Sequence, residues 1–285
     1  MMGNMLNQIQ NGVRRIRVRT MSPGVPEQEE IERFGAAGED AIFRILYEQF
    51  DCVIRGVILP HGKKYLEKDF LVLHKGVPVV IEVKNWKGSI GCDAKTGSFY
   101  QDKPDGVHKT IKSPVGTTRQ FIQCMKEFYG LERTVVGMVV FAEPDCRLQL
   151  PDSMEQILLV PAAKMASAIR AKVREYAKEQ GELPPERILR CTRIYSRNSE
   201  FCKGLLANRE IPCTDPEGRQ VSLQTDYLRY IRVEPQPLHL RDKLTVTYIN
   251  GACGIFYNSD AELALHCLDG SWRRIALNKI RHILF

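Results

Sequence analysis

The apolar positions in the first half of the chain recur with the spacings expected of helices and strands. Between about Gln28 and Phe50 they return every three or four residues, so they line one face of a helix. The members of this stripe are Ile31, Phe34, Ile42, Ile45 and Leu46. A second helix is predicted for Thr117–Tyr129, capped by Thr117 or Thr118 and ended by Gly130.

Short apolar runs bounded by turn residues predict the strands. Three of them follow the first helix, and two more follow the second. The runs are Cys52–Leu59, Asp69–His74, Val77–Lys84, Arg133–Glu143 and the stretch EQILLVP. A third helix is predicted in AAKMASAIRAKVREYAKEQ. The order helix, three strands, helix, strand predicts an α/β domain with a mixed central sheet.

The pattern changes after about Pro185. A short helical turn is predicted in NSEFCKGLLA, and the tail from Tyr227 to Phe285 alternates strand-like runs with turns such as YINGACG and LDGS. No internal repeat is recognised in the sequence. We therefore expect a flexible basic tail at residues 1–26, an α/β domain at residues 27–185, and a smaller β-rich domain at residues 186–285 that serves targeting or self-association.

Composition adds only broad limits. The chain has 285 residues, of which 44% are hydrophobic and 26% charged, and it contains no apolar run of membrane-spanning length. Its net charge of +7 is compatible with a polyanionic partner. The nine cysteines include no CxxC pair, so we expect free thiols in a cytoplasmic protein without structural zinc. Phosphate-binding glycine motifs and HExxH are absent from the sequence.

Two charges interrupt the apolar stretch VVIEVKNWKG. Side chains alternate between the faces of a strand, so Glu82 and Lys84 point to the same side. If the second and third strands pair as an antiparallel hairpin, Asp69 lies close to Glu82. Neighbouring carboxylates attract a hard divalent cation, and a nearby lysine can hold an attacking water or meet phosphate charge. A salt bridge between Glu82 and Lys84, with Asp69 as a turn residue, explains the spacing more simply.

Two further polar residues lie at the margins of the helical stripes. Glu39, in GAAGED, borders the first stripe, from where an acid can lean over the end of the sheet. Gly35 and Gly38 each weaken that helix by about 1 kcal/mol relative to alanine, which suggests a close-packing reason for them. Gln120 borders the second stripe, where its amide can reach a carboxylate or a phosphate. The simpler interpretation is a solvated Glu39 and a Gln120 that bonds within its own helical turn.

One aromatic residue near the end of the chain is flanked by basic residues. Arg273 and Arg274 follow Trp272 and could stack on and clasp a nucleic-acid strand. The simpler interpretation places Trp272 in the core and the two arginines on the polar face of an ordinary strand or helix.

Four stretches together resemble a known family: FGAAGEDAIFRIL, VILPHGKKYLEKDFLVL, VPVVIEVKNWKGSIG and SPVGTTRQF. In order and spacing they are similar to the nuclease-related domain (NERD) family of the PD-(D/E)XK nuclease superfamily, over roughly Glu29 to Phe141. The resemblance implies an α/β fold with a PD-(D/E)XK-like restriction-endonuclease core of order αβββαβ, in which helices flank a mixed sheet. The smaller β-rich C-terminal domain would be an addition to that core.

The resemblance also implies roles for individual residues. Asp69 and Glu82 would be metal ligands with the Val83 backbone carbonyl as a third, and Lys84 would position or activate the water. Glu39 would support the metal site, directly or indirectly, and Gln120 would complete it from the second helix.

The activity implied by the resemblance is that of a Mg²⁺- or Mn²⁺-dependent endonuclease or exonuclease, with DNA as the favoured substrate. Two alternatives stay open: a non-cleaving module that binds nucleic acid or protein on a nuclease fold, and a nuclease that acts mainly on RNA. We expect no membrane partner, whereas a homo-oligomer or a protein partner could form through the C-terminal domain.

Overall fold

The computed structural model describes residues 27–93, 96–132, 134–176, 183–197, 201–236, 241–248, 251–258 and 260–285. The predicted basic tail at residues 1–26 lies outside them. The chain divides into two compact units. The first unit contains the described residues up to Ile54 together with Lys68–Pro185, and the second contains Arg55–Glu67 together with Glu186–Phe285.

The elements up to residue 176 are mostly those that the sequence pattern predicts. The helices are α1 (Glu27–Gln49), α2 (Pro114–Tyr129) and α3 (Ala162–Tyr176). The strands are β1 (Cys52–His61), β2 (Lys64–His74), β3 (Val77–Lys84), β4 (Ser89–Cys92), β5 (Phe99–Asp102), β6 (His108–Ile111), β7 (Val136–Phe141), β8 (Arg147–Gln149), β9 (Ser153–Met154) and β10 (Ile157–Pro161).

A mixed sheet forms the centre of this part of the protein. Its strand order in the described residues is β1-β2-β3-β7-β10-β9. Strands β2 and β3 pair antiparallel, whereas β3, β7 and β10 run parallel to one another. All six residues of β7 are buried, as expected of a parallel strand covered on both faces. The predicted mixed α/β fold is therefore confirmed.

Helices cover both faces of this sheet. One face of the sheet packs against α1 and α3 through a cluster that includes Ile42, Leu46, Phe70, Val72, Val79, Ile81, Met165 and Ile169. The other face packs against α2 through a cluster that includes Val115, Ile122, Val139, Phe141, Ile157 and Leu159. The first cluster holds α1 and α3 against β2, β3 and β7, and the second holds α2 against β7 and β10.

The predicted start of α2 is wrong by three residues. The helix begins at Pro114, because proline lacks an N–H group and its fixed φ suits the first helical position. Thr118 does not cap the helix; its hydroxyl donates to the Pro114 carbonyl at 2.8 Å. The end is as predicted, since Gly130 takes the left-handed conformation at φ 63°.

The loop between β3 and α2 is more regular than its sequence indicates. It contains β4, β5 and β6, which form a small sheet with β8 in the order β6-β5-β4-β8. No helix in the described part of the chain is long and apolar enough to cross a membrane.

The second unit is β-rich, as predicted. Its strands are β11 (Thr192–Ser196), β12 (Phe201–Leu206), β13 (Glu210–Thr214), β14 (Gln220–Gln224), β15 (Leu228–Glu234), β16 (Lys243–Tyr248), β17 (Cys253–Asn258), β18 (Glu262–Cys267), β19 (Trp272–Ala276) and β20 (Ile280–Leu284). Within the described ranges they form one sheet of order β14-β13-β17-β16-β15-β20-β11-β12-β18-β19. The helical turn predicted in NSEFCKGLLA is wrong, because Phe201–Leu206 is strand β12.

This unit contains an internal repeat that the sequence alone did not reveal. Strands β11–β15 recur as β16–β20, which begin 51 or 52 residues later, as from Gln220–Gln224 to Trp272–Ala276. The single-turn 3-10 helices follow the same displacement, from Thr225–Tyr227 to Leu277–Lys279. The core positions correspond as well, as Ile211 does to Leu263 and Leu228 to Ile280. We call residues 192–234 repeat 1 and residues 243–285 repeat 2.

The two repeats exchange strands about an approximate two-fold axis. Strand β13 of repeat 1 pairs with β17 of repeat 2, and β18 of repeat 2 pairs with β12 of repeat 1. Strands β15 and β20 pair directly, and Ile231 lies opposite Ile283, its own equivalent 52 residues later. Such an exchange holds the repeats together as one folding unit.

Candidate functional site

The candidate site begins where the pairing of β2 with β3 ends. The two strands pair from His74 opposite Val77 to Phe70 opposite Ile81, so Asp69 and Glu82 occupy the next position. There the Asp69 carboxylate accepts a hydrogen bond from the Val83 N–H at 2.6 Å, in place of a backbone carbonyl of the neighbouring strand. Asp69 and Glu82 therefore meet at the end of the hairpin.

Glu82 is held between two lysines. Its Oε2 accepts from the Lys68 ammonium group at 2.8 Å, and its Oε1 accepts from the ammonium group of Lys84. Lys68 is only 4% exposed and also donates to the Thr117 hydroxyl on α2 at 3.4 Å. Glu82 and Lys84 do share one side of β3, and the salt bridge considered as the simpler interpretation is present.

Lys68 and Thr117 were missed by the sequence reasoning. The second strand was predicted to begin at Asp69, which left Lys68 in a turn, whereas β2 begins at Lys64. A strand extended backwards through KYLEK would have placed Lys68 inside it. The role of Thr117 depends on the approach of α2 to the sheet, for which the local sequence gives no signal.

The charges at this site shift the pKa values of its side chains in opposite directions. Burial, followed by the nearby Glu82 and Glu39 carboxylates, raises the pKa of Asp69 well above its ordinary value. Burial alone would also raise the pKa of Glu82, but the ammonium groups of Lys84 and Lys68 outweigh it and hold that pKa below its ordinary value. At neutral pH Glu82 is therefore a carboxylate, whereas Asp69 keeps a proton more readily than an ordinary aspartate does.

Lys84 is a donor in this arrangement and not a base. Burial alone would lower the pKa of Lys84, but the carboxylates of Glu82, Asp69 and Glu39 raise it above its ordinary value. The side chain also lies near the indole ring of Trp86, with Nζ 5.9 Å from the ring centroid. A charged Lys84 can hold an oxygen atom by hydrogen bonding and can stabilise negative charge on it.

A glycine explains how Glu39 reaches the site. A Cβ atom built on Gly38 would lie 2.7 Å from the Cβ of Asn85, the residue that follows Lys84. Gly38 thus allows α1 to lie against the end of β3, and Glu39 comes close enough to influence the pKa of both Asp69 and Lys84. Gly35 has no such role, since a Cβ there meets no atom within 4 Å in the described part of the chain.

Gln120 is the residue that the second helix was predicted to bring to the site, and it lies on α2. It is exposed on α2, one helical turn beyond Thr117 and therefore on the same side of the helix. Because Thr117 contacts Lys68, this side of α2 is the one nearest the cluster. The cluster itself consists of the contacts made by four residues, Asp69, Glu82, Lys84 and Lys68.

The donor atoms suit a hard divalent cation. Asp69, Glu82 and Glu39 bring three carboxylates against the two ammonium groups of Lys68 and Lys84, so one negative charge is in excess when all are ionised. A cation would offset the burial and the carboxylate repulsion that together raise the pKa of Asp69. Among the described residues, however, no three or more His, Cys, Asp or Glu side chains are grouped as a metal-binding set. Carboxylate oxygens are the donor type that Mg²⁺ and Mn²⁺ prefer. In this structure both carboxylate oxygens of Glu82 accept hydrogen bonds from lysines.

Part of the chain matches a known protein family. The family model described as the nuclease-related domain matches residues 34–142, a range that includes every residue of the candidate site. This match confirms the resemblance drawn from the sequence motifs. A search of curated proteins finds no match to the chain.

Proposed function

We propose that this chain, in which residues 34–142 match the nuclease-related domain, is a divalent-metal-dependent nuclease that hydrolyses phosphodiester bonds, with DNA as the favoured substrate. The observation that carries the proposal is the meeting of Asp69, Glu82 and Lys84 at the end of the β2–β3 hairpin. The order of α1, β1, β2, β3, α2 and β7 along the chain, with helices on both faces of the mixed sheet, further supports a PD-(D/E)XK-like core.

The residues divide into metal ligands and groups that act on the substrate. Asp69, Glu82 and the Val83 carbonyl would hold Mg²⁺ or Mn²⁺, with Glu39 in support. When bound, such an ion activates water and neutralises charge on a phosphate.

Lys84, kept charged by its carboxylate neighbours, would orient the attacking water and stabilise the negative charge that develops on the phosphate oxygens. Lys68 is a positioning residue, because it is buried and fixes the carboxylate of Glu82. The exposed amide of Gln120 would contact the nucleic-acid backbone.

Cleavage assays with matched variants test the proposal. Purified protein is incubated with supercoiled plasmid, labelled oligodeoxynucleotides and labelled oligoribonucleotides, with Mg²⁺ or Mn²⁺. We expect Glu82→Gln and Lys84→Ala to lower the rate by roughly 10²- to 10³-fold, as the loss of one charge-stabilising group does in other enzymes. Glu48→Gln, an exposed change on α1, is the control and should cleave like the wild type. Equal rates in all four proteins would refute the assignment.

One observation favours a second candidate, a module that grips nucleic acid without cutting it. Both carboxylate oxygens of Glu82 are bonded to lysines, which leaves neither unengaged in this arrangement. Titration calorimetry with Mn²⁺ discriminates between the two. The binding module predicts no heat of metal binding and an unchanged nucleic-acid affinity in Asp69→Asn, whereas the nuclease predicts metal binding that Asp69→Asn weakens.

A further inference from the structure

Strand β19 carries an exposed aromatic ring that the simpler sequence interpretation placed in the core. Trp272 is 64% exposed, so that placement is wrong. The strand is the last in the sheet in the described part of the chain, and it pairs with β18 so that Trp272 lies opposite His266. The indole and imidazole rings stack in parallel, with centroids 4.7 Å apart and an angle of 3° between their planes. One face of the indole is therefore covered by His266, and the opposite face is turned to solvent.

The ring beneath Trp272 is held in place. Within the same unit, the Tyr65 hydroxyl and the Nδ1 atom of His266 lie 2.9 Å apart in a hydrogen bond. The Nε2 atom of His266 bonds to the Gly270 carbonyl at 3.2 Å, and the ring of Tyr65 packs edge-on against the imidazole. Because these contacts fix His266, the stacked indole is ordered before any ligand arrives, which lowers the entropic cost of binding.

Repeat 1 shows that the fold does not require this aromatic surface. The pair His266–Trp272 corresponds to Thr214–Gln220, which occupies the same place in the hairpin of β13 and β14. The next outward position, Arg274, corresponds to Ser222. Two polar, uncharged residues thus suffice where the second hairpin has a tryptophan and an arginine. Apart from its stack on His266, Trp272 remains 64% exposed, and tryptophan rings of this kind are enriched at binding interfaces.

The part of repeat 2 that contains Trp272 is also more basic than its equivalent in repeat 1. Residues 262–285 contain two acidic and four basic residues, whereas the equivalent residues 210–233 contain four acidic and three basic ones. Arg274 is exposed and lies on the same face of β19 as Trp272, about 7 Å along the strand. The surface thus pairs a flat aromatic face with a nearby guanidinium group, the combination that binds a base and its phosphate in single strands.

We propose that the stack of Trp272 on His266, with Arg274 beside it, is a platform for the unpaired bases of single-stranded nucleic acid. An unpaired base lies on the open face of the indole, and Arg274 contacts an adjoining phosphate. The platform deepens the proposed nuclease function, on which it rests for the identity of the ligand. Duplex ends offer few unpaired bases, so the platform selects single strands over duplex.

Binding without cleavage tests the platform. The full-length chain is titrated in EDTA into fluorescein-labelled oligothymidylate, oligouridylate and a blunt duplex, and binding is followed by fluorescence anisotropy. We expect Trp272→Gln to weaken single-strand binding roughly 5- to 150-fold, the loss of one base-stacking contact. Glutamine is the residue at the equivalent position of repeat 1, so the variant retains a side chain that the fold accepts. Gln220→Ala is the matched control and should bind like the wild type.

Tryptophan fluorescence supplies a second readout. The chain has two tryptophans, so in Trp86→Phe the emission comes from Trp272 alone. Oligonucleotides that stack on the indole should quench this emission. Quenching by either single strand, or by both, supports the platform.

An unchanged affinity in Trp272→Gln, a lack of quenching, or equal binding of the duplex would overturn the platform. Because EDTA is present, this result is independent of whether Mg²⁺ supports cleavage. Cleavage that survives in Glu82→Gln would refute the nuclease site and leave the binding result standing.

Discussion

A methyl group added at Gly38 should disturb the candidate site from outside it. The new Cβ would lie 2.7 Å from Cβ and 2.8 Å from Cγ of Asn85, whereas unstrained carbon atoms pack at about 3.5–4.0 Å. Relief of this overlap requires α1 and the end of β3 to separate by about 1 Å. Glu39 follows Gly38 directly, so the same shift moves its carboxylate away from Asp69 and Lys84. A misplacement of about 1 Å can cost roughly 10²-fold in rate.

The same helix supplies the control. Gly35→Ala adds the same methyl group where no described atom lies within 4 Å, so it should stabilise the protein by up to about 1 kcal/mol through helix propensity. In Gly38→Ala this gain is offset by an overpacking cost of about 1–3 kcal/mol. We expect urea unfolding to show Gly35→Ala as the more stable variant, and plasmid cleavage to be normal in Gly35→Ala and strongly reduced in Gly38→Ala. Matching stability and activity in the two variants would refute the packing argument.

Two further predictions concern buried polar groups in the two units. Replacing Lys68 by Met removes a 4%-exposed partner of Glu82, and urea unfolding should show a loss of about 3 kcal/mol; an unchanged midpoint would contradict the buried ion pair. Burial, with Arg281 and Arg232 adding to it, lowers the pKa of His282 to about 4, while an imidazole in the unfolded chain titrates near 6.5. From pH 7 to pH 5 the unfolded chain therefore gains a proton that the folded chain does not, and the free energy of unfolding falls. In His282→Gln, the free energy of unfolding should fall by roughly 1 kcal/mol less between pH 7 and pH 5, after allowance for partial exposure of the ring. Urea unfolding at the two pH values measures this difference. An identical pH dependence in the wild type and the variant would refute the lowered pKa of His282.

The main sheet was largely predictable because its signals are local. Strand β3 occupies Val77–Lys84 as predicted, since Lys75 and Gly76 form a turn before it and the apolar run continues to Val83. The alternation of side chains also placed Glu82 and Lys84 on one side. Lys68 was missed because its strand was predicted to begin too late, and its burial depends on α2, which is distant in sequence.

The second unit was less predictable because its order depends on distant pairings. The repeat of 52 residues preserves apolar positions and the turn glycines Gly218 and Gly270, but few identical residues. Strands of the two repeats pair with each other, so a search for neighbouring hairpins cannot give the sheet order. Trp272 was expected in the core because the sequence does not show that β19 ends the described sheet.

Removal and return of the metal ion tests the central claim most directly. The initial rate of plasmid cleavage is measured with Mg²⁺, after EDTA, and after excess Mg²⁺ is restored, for the wild type and for Glu82→Gln. We expect wild-type cleavage to stop in EDTA and to return with Mg²⁺, whereas Glu82→Gln regains at most about a hundredth of the wild-type rate. Cleavage that persists in EDTA, or that returns equally in Glu82→Gln, would contradict the central claim.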